Sequence, residues 1–231
     1  MFTLCWAAKG GSGTTVVATA LALGAPGPAL LVDLDGELPA VLGLPEPDRP
    51  GVGDWLDSDA PTDRLDDLII EVRPGVSLVP WRVAGNISGY AGNAPGTATT
   101  QRSVERVESR REQLARWLSE RARDVEVTVD AGTGVPPIEL VDAADRALLV
   151  TRPCYLAVRR AVRQRVRPSG VVVVREHGRA LSTRDIEHAL GCPVDATVSI
   201  DPAVARAVDA GMLASRLPRV IMRELRAATA A

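Results

Sequence analysis

Short apolar runs alternate with segments of helical periodicity along this chain, and the alternation restricts the folds that it can adopt. Each apolar run has the length of a buried strand, and the intervening segments have the composition and apolar spacing of helices. The predicted strands are residues 2–8, 29–33, 76–80, 125–130, 147–151, 171–174 and 194–200, and the predicted helices are residues 14–23, 101–122, 156–166, 182–190, 202–210 and 216–227. We therefore expect a single doubly wound α/β domain over residues 1–231, with a mostly parallel sheet and helices on both faces.

Two segments interrupt this alternation. Residues 44–61 are rich in Pro, Gly and Asp around a candidate short helix at Trp55, and residues 85–100 are nearly all small or polar. Both are predicted to be excursions over the surface of the domain. Residues 101–123 alternate arginine with glutamate, which is typical of an exposed helix with surface ion pairs.

The composition argues against several classes of protein. Hydrophobic residues make up 46% of the 231 residues, which is enough for a sizeable core, and the net charge of -2 gives no global sign of a nucleic-acid binder. The three cysteines, Cys5, Cys154 and Cys192, lack metal-ligand spacing and are predicted to be small buried hydrophobic residues in a reducing compartment. Residues 1–8 lack the features of a signal peptide, and no apolar run approaches the ~20 residues of a membrane span. We expect a cytoplasmic protein.

A glycine-rich loop follows the first predicted strand and precedes the first predicted helix. It runs Lys9-Gly10-Gly11-Ser12-Gly13-Thr14-Thr15, and Lys9 is the only lysine among the 27 basic residues of the chain. Glycines let backbone amides turn inward, and the following helix offers its positive N-terminal end, so the loop predicts an anion cradle. A slim lysine ammonium can follow such a loop towards a phosphate, whereas the wide guanidinium fork of arginine cannot replace it there.

The two threonines of this loop determine how the cradle would work. The Thr15 hydroxyl would lie beside a magnesium ion bound to the phosphates. The usual phosphate loop, G-x-x-x-x-G-K-[ST], has a lysine where this chain has Thr14. A glycine turn that joins strand and helix without binding a ligand is therefore the alternative interpretation.

Carboxylates follow two of the predicted strands. Residues 29–33 lead into Asp33-Leu34-Asp35, and residues 125–130 end in Asp130. The C-terminal ends of parallel strands meet at one edge of a sheet, which is also where the glycine loop lies. Metal binding and water activation need such carboxylates, although an Asp can also cap a helix or form a turn. Their convergence on one edge favours a shared site.

These motifs, in this order, resemble the ParA/MinD group of deviant Walker A ATPases. The matching segments are K-G-G-S-G-T-T from residue 9, L-L-V-D-L-D-G around residue 33, V-T-V-D-A-G-T-G around residue 130 and A-D-R-A-L-L-V-T over residues 144–151. The resemblance covers almost the whole chain and implies a P-loop NTPase-like domain that binds ATP and Mg²⁺ at a homodimer interface. It implies nucleotide contacts from Lys9, Gly10, Gly11, Ser12, Gly13, Thr14 and Thr15, and Mg²⁺ contacts from Thr15, Asp33 and Asp130.

The resemblance also implies roles for single residues. In this family an early lysine, matched by Lys9, reaches across the dimer to the phosphates of the partner subunit. The second Asp of the D-x-D motif, matched by Asp35, positions the attacking water, and Asp130 matches a Walker B-like Asp. Members use ATP-controlled dimerisation to place cargo such as plasmids, division inhibitors or pilus machinery on a DNA or membrane surface.

Two departures from the family pattern point to a degenerate branch. Thr14 replaces the lysine that normally binds phosphate within its own subunit, and residues 171–175 lack the Asn that often ends this strand and touches adenine. A small residue in the loop resembles the CpaE/TadZ and septum-site-like branch, whose members place Tad-type pilus or septal components. We therefore expect weak ATP binding, with slow hydrolysis or none.

Two alternatives from other functional classes stay open at this point. A pseudo-ATPase scaffold would dimerise without nucleotide; Thr14 and the missing Asn favour it, whereas Lys9, Asp35 and Asp130 argue against it. An active DNA-partitioning ATPase would need a face that binds DNA, for which the arginines of residues 152–167 are candidates. Those arginines can equally solvate the surface of a helix.

Overall fold

An eight-stranded sheet lies at the centre of the fold. The computed structural model of the protein describes residues 1–82 and 101–229. The strands are β1 (Phe2–Ala7), β2 (Ala29–Asp33), β3 (Ile70–Arg73), β4 (Val76–Val79), β5 (Glu126–Thr133), β6 (Arg146–Thr151), β7 (Gly170–Arg175) and β8 (Val194–Ser199). Their order is β3-β4-β2-β5-β1-β6-β7-β8, and among the described residues only the β3–β4 pair is antiparallel. The prediction of a mostly parallel sheet is confirmed.

Helices cover both faces of this sheet. They are α1 (Thr14–Leu23), α2 (Leu38–Leu42), α3 (Val52–Asp57), α4 (Gln101–Arg121), α5 (Ile138–Ala143), α6 (Tyr155–Arg163), α7 (Thr183–Leu190), α8 (Pro202–Asp209) and α9 (Arg219–Thr229), with a 3-10 helix over Thr62–Leu68. Leu4 and Trp6 of β1 belong to a core formed with α3 to α7, whereas Cys5 between them packs with α1 and α9. Because successive side chains of a strand point to opposite faces, the sheet separates two cores.

Most predicted elements lie within a few residues of the observed ones, and the differences have physical causes. The last helix starts at Arg219 and not at Arg216, since the residue before Pro218 is disfavoured in a helix. Strand β5 continues past Asp130 to Thr133, which pairs with Ala7 after a shift in register. The elements β3, α2 and α5 span at most six residues each, too few to show a period in the sequence.

The segment 44–61 is only partly a surface excursion. Its expected short helix is present as α3, but Val52 and Trp55 are buried in the larger core. The Arg110 guanidinium of α4 stacks over Trp55, 3.4 Å from the ring centroid, and donates to the Trp55 carbonyl at 2.7 Å. Leu114 of α4 is also buried, so the prediction of an exposed helix is wrong for one face of α4.

Two of the cysteines are more exposed than the sequence predicts. Cys5 is buried, but Cys154 and Cys192 are partly exposed because they lie in the loops before α6 and after α7. The second predicted excursion, residues 85–100, lies outside the described residues. None of the described helices is long and apolar enough to cross a membrane.

Candidate functional site

The glycine loop joins β1 to α1 at the C-terminal edge of the sheet. Gly11 and Gly13 have φ angles of +73° and +91°, in the left-handed region that favours glycine. Ser12 is buried, and its hydroxyl donates to the Lys9 carbonyl at 2.7 Å. The loop is thereby closed on itself, with glycine at the two positions that require it.

The N-terminal end of α1 suits an anion. The amides in the first turn of a helix have no partner within the helix. Within the described part of the chain, no side chain caps α1 and no acidic residue lies in its first turn. The helix dipole adds a positive partial charge at the same end. The loop and helix therefore have the geometry of the predicted anion cradle.

Asp33 and Asp130 lie side by side at this edge. They are Cα partners in the β2–β5 ladder, and both are 0% exposed. Burial raises the pKa of Asp33 to about 6. Burial, with a smaller contribution from the neighbouring Asp33, raises the pKa of Asp130 to about 7. The pair therefore favours a shared proton when no cation lies beside it, and a cation would reverse both shifts.

The Asp33 carboxylate is engaged by the backbone of the following turn. Its Oδ1 accepts hydrogen bonds from the amides of Asp35 at 3.0 Å and Gly36 at 2.7 Å, and its Oδ2 accepts one from Leu38 at 3.2 Å. These bonds give Asp33 the role of a turn former, which the sequence allowed as an alternative. They also fix the position of Asp35 and leave Asp33 less able than Asp130 to bind a cation directly.

Asp130 keeps one oxygen without a hydrogen bond. Its Oδ1 accepts a hydrogen bond from the Gly132 amide at 3.0 Å, and the nearby Thr15 hydroxyl lowers the pKa of the same carboxyl. Its Oδ2 is buried and has no hydrogen-bond partner among the described residues. A buried acceptor without a partner costs free energy, so this oxygen is suited to a ligand that arrives from outside.

These residues fit a magnesium ion that is carried in by a phosphate. In residues 1–82 and 101–229, no three His, Cys, Asp or Glu side chains are grouped to hold a metal by themselves. Mg²⁺ commonly uses one or two carboxylates, several waters and the phosphates of a substrate. Asp130 and Thr15, beside the cradle, have oxygen atoms of the kind that such an ion uses.

Asp35 lies over the end of β5. A Cβ at Gly132, whose φ is +61°, would overlap the Asp35 carboxyl. Burial, followed by the nearby Glu37, raises the pKa of Asp35 despite a hydrogen bond from the Thr133 amide. The Thr133 hydroxyl would lie 3.8 Å from a Cβ built on Gly10, so this end of β5 borders the glycine loop. The structure thus brings Asp35 to the same edge as the loop.

The cation arrangement of the loop differs from that of a usual phosphate loop. The Lys9 ammonium is exposed and lies 3.4 Å from the Gly10 carbonyl oxygen. Thr14 is buried at the first position of α1, where the usual loop has its lysine. Lys9 is therefore the one basic side chain within residues 9–15, and its ammonium contacts the loop backbone at Gly10.

A cavity of about 250 Å³ opens beside Gly13, on the β7–β8 side of the loop. Its walls are largely apolar and include Val16 of α1, Val174 of β7 and Val198 of β8. Val174 lies directly against the loop, 3.7 Å from a Cβ built on Gly13. Strand β7 ends there in Val174 and the exposed Arg175, in agreement with the missing Asn of the sequence.

Arg152 also lines this cavity, and the sequence analysis did not single it out as a site residue. It was grouped with the arginines of residues 152–167, yet it directly follows β6. The rule that strand ends gather at one edge of a parallel sheet was enough to find it. The arginines of α6 itself, Arg159, Arg160 and Arg163, are exposed.

Comparisons with known proteins agree on the fold. No protein-family model matches the chain, and no curated protein matches its sequence. A ParA family ATPase from Chlorobium tepidum matches with a TM-score of 0.67 and 19% identity over 96% of each chain. The septum site-determining protein MinD from Pyrococcus horikoshii, complexed with Mg-ADP, matches with a TM-score of 0.68 and 18% identity, over 96% of this chain and 93% of the MinD chain. A McdA variant from Cyanothece in complex with ATP matches with a TM-score of 0.66 and 17% identity, over 99% of this chain and 96% of the McdA chain.

Identities this low establish a fold and not an activity. The match nevertheless extends over nearly the full length of both chains in each case. The chain therefore has the P-loop NTPase fold of the ParA and MinD ATPases.

Proposed function

We propose that this protein binds MgATP over residues 9–15 and acts as a ParA/MinD-like positioning protein with a degenerate phosphate loop. The observation that carries the proposal is the buried Oδ2 of Asp130, which has no hydrogen-bond partner among the described residues and belongs to a carboxyl near Thr15 of α1. A magnesium ion bound to a phosphate in the cradle would satisfy this oxygen and the first-turn amides of α1 together.

Two of the structures with this fold are complexes with the class of ligand proposed here, Mg-ADP in one case and ATP in the other. A shared fold does not by itself assign a ligand. The cradle, the adjacent cavity and Asp130 are what extend the assignment to this chain.

The proposal assigns a role to each residue of the site. Residues 9–15 would hold the phosphates, and Thr15 and Asp130 would bind Mg²⁺, with Asp33 beside them. Asp35 would orient the attacking water. Thr14 supplies no charge, and a charge-assisted hydrogen bond to phosphate is worth ~1.5–3 kcal/mol, so binding should be about one to two decades weaker than with a loop lysine.

A nucleotide-dependent homodimer is part of the proposal. The Lys9 ammonium forms its contact with the Gly10 carbonyl at an exposed position at the start of the loop, and in the proposed dimer it would reach the second subunit. Large apolar side chains are exposed at the same edge of the sheet: Val135, Ile138, Tyr155 and Leu156 lie in the segments that follow β5 and β6. Exposed apolar groups of this size are typical of a protein interface. The single domain of residues 1–231 would then place a pilus, septal or other protein cargo in the cytoplasm.

Isothermal titration calorimetry with MgATP tests the proposal. We expect measurable but weak binding, with phosphate release that is slow or absent. Asp35→Ala should abolish any hydrolysis and spare binding, because it removes only the group that orients water. Asp130→Ala should reduce the dependence of binding on Mg²⁺. A wild-type protein that gives no heat at millimolar MgATP would refute the nucleotide assignment.

Two alternative functions each have one observation in their favour. The buried Thr14 favours a nucleotide-independent pseudo-ATPase scaffold, which would dimerise equally with and without MgATP. The exposed Arg159, Arg160 and Arg163 favour an active DNA-partitioning ATPase. Binding to duplex DNA that requires ATP and weakens steeply with salt would support that second alternative.

A further inference from the structure

Arg152 has an incompletely satisfied guanidinium at the mouth of the site. It lines the cavity beside Gly13, immediately after β6. Its Nε is buried without a hydrogen-bond partner, and within the described residues its side chain forms no ion pair. Partial burial of a guanidinium without an acceptor costs free energy. The side chain is therefore prepared for an acceptor that the described chain does not provide.

Two acidic groups in the surroundings of this arginine accept hydrogen bonds from other groups. Glu176 accepts two hydrogen bonds from Arg179, at 2.8 and 2.6 Å. These bonds lower the pKa of Glu176 most, and Arg152 adds a smaller effect through space. Asp201, on the far wall of the cavity, accepts a hydrogen bond from the Ala203 amide at 2.6 Å and so caps α8. Within residues 1–82 and 101–229, neither these carboxylates nor Asp209, which also lines the cavity, forms an ion pair with Arg152, so its guanidinium can accept a ligand as partner.

The cavity and the glycine loop share Gly13, so one ligand can occupy both. A nucleotide with its phosphates on the cradle and its nucleoside in the largely apolar cavity would pass Arg152 at the junction. The planar fork of arginine matches the oxygens of a phosphate and can bind two of them at once. The loop itself lacks an inward cation because Thr14 replaces the lysine.

We propose that Arg152 contacts the phosphate chain of the bound nucleotide and supplies the positive charge that is missing at Thr14. This inference rests on the proposed binding of MgATP. It makes Arg152 a phosphate-binding residue contributed by the strand β6 edge, on the opposite side of the loop from Asp33 and Asp130. The degenerate loop would then keep part of the affinity for nucleotide that it loses with the lysine at position 14.

Three variants separate this role from a structural one. Arg152→Met keeps most of the aliphatic volume and removes the charge, and Arg152→Lys keeps the charge but not the fork. Arg163→Met, at an exposed position of α6, is the matched control. Binding of MgATP and of magnesium tripolyphosphate is measured by calorimetry, and thermal unfolding verifies that each variant folds. Arg152→Gln serves as the neutral variant if Arg152→Met does not fold.

Removal of the charge should lower the affinity for both ligands by about 10- to 100-fold, since tripolyphosphate carries the same phosphate oxygens without a nucleoside. Arg152→Lys should retain part of this affinity, and Arg163→Met should bind like the wild type. Unchanged affinity in the neutral variant would overturn the inference. A loss confined to ATP would also overturn it, because Arg152 would then act on the nucleoside. A wild-type protein that binds neither ligand would refute the proposed function itself, which is a distinct result.

Discussion

At the scale of single residues, the site combines first-turn amides that have no side-chain cap with one buried carboxylate oxygen, Asp130 Oδ2, that has no hydrogen-bond partner among the described residues. The first turn of α1 has no side-chain cap in the described structure, while Asp130 is buried on β5, the neighbour of β1, beside Asp33 on β2. Neither feature stabilises the empty fold, since orphan donors and crowded carboxyls both cost free energy. A phosphate with its magnesium ion compensates both at once, because the anion meets the amides and the cation meets the carboxylates.

Thr14→Lys tests whether the loop lacks only its charge. We predict that this variant binds MgATP about one to two decades more tightly than the wild type, because a charge-assisted hydrogen bond to phosphate contributes ~1.5–3 kcal/mol. Calorimetry gives the two affinities. Thr14→Met is the control, since it adds similar length without charge and should not tighten binding. An unchanged affinity in Thr14→Lys would mean that the cradle cannot accept phosphate.

Asp130→Asn tests how much the buried carboxyl pair of Asp33 and Asp130 lowers the free energy of unfolding. The folded protein holds a proton on Asp130 up to about pH 7, whereas the ordinary pKa is 3.8. The folded state therefore binds more protons between these values, and this group's contribution to stability is lost as pH rises through about 7. We predict that Asp130→Asn is more stable than the wild type at pH 8, by about 1–3 kcal/mol, and loses this advantage near pH 4.

Urea unfolding at pH 4, 6 and 8, without nucleotide or Mg²⁺, measures the effect. Asp124→Asn, at an exposed turn position, is the control and should follow the wild type at every pH. A difference between Asp130→Asn and the wild type that does not change with pH would contradict the prediction. In the wild type, MgATP affinity should rise from pH 5.5 to pH 8, since Mg²⁺ binding requires the ionised carboxylate.

The sequence could place the acidic residues of the site but not their individual environments. Asp33 and Asp130 follow from the rule that parallel strand ends share an edge. The three backbone hydrogen bonds to Asp33 depend on the conformation of the turn after β2, which no residue pattern specifies. Arg152 was within reach of the same rule and was missed because it was grouped with the arginines of the following helix, which begin at Arg159.

At the scale of secondary-structure elements, Arg110 ties α4 to α3. It stacks over Trp55 and donates hydrogen bonds to the carbonyls of Trp55 at 2.7 Å and Ala60 at 2.9 Å. We predict that Arg110→Met lowers the free energy of unfolding by about 2–4 kcal/mol, because two hydrogen bonds to carbonyls and one contact with an aromatic face are lost. Chemical denaturation measures the loss, and Arg116→Met, at an exposed position of α4, should change stability by less than about 0.5 kcal/mol.

The Arg110 contact also explains why this region was mispredicted. An arginine in a helix rich in charge predicts exposure, and a tryptophan among Pro, Gly and Asp predicts a surface loop. Arg110 and Trp55 bury each other, so neither the charge of the helix nor the composition of the loop predicts this contact by itself. The elements α1 and β2 were predicted with their observed limits because the helical period of α1 and the apolar run of β2 are each complete within the segment.

At the scale of the whole molecule, the strand order creates the site. β1 lies between β5 and β6, and β2 lies on the far side of β5, so segments that are distant in sequence end side by side. Alternating strands and helices predict a parallel sheet, but not which strands are neighbours. The gathering of Asp33, Asp130 and Arg152 around one loop is therefore a property of the topology, and each crossover must be correct for the site to exist.

Lys9 is predicted to act between two subunits. Its ammonium is exposed at the start of the loop, outside its own cradle. Lys9→Arg and Lys9→Ala should both weaken MgATP-dependent dimerisation by roughly tenfold or more, since arginine keeps the charge but not the slim shape. Light scattering with and without MgATP measures the monomer–dimer balance. Arg123→Ala, in the turn that leads into β5 at the opposite edge of the sheet, is the control and should dimerise like the wild type. If all four proteins behave alike, Lys9 has no role at an interface, and a scaffold that works without nucleotide explains the chain better.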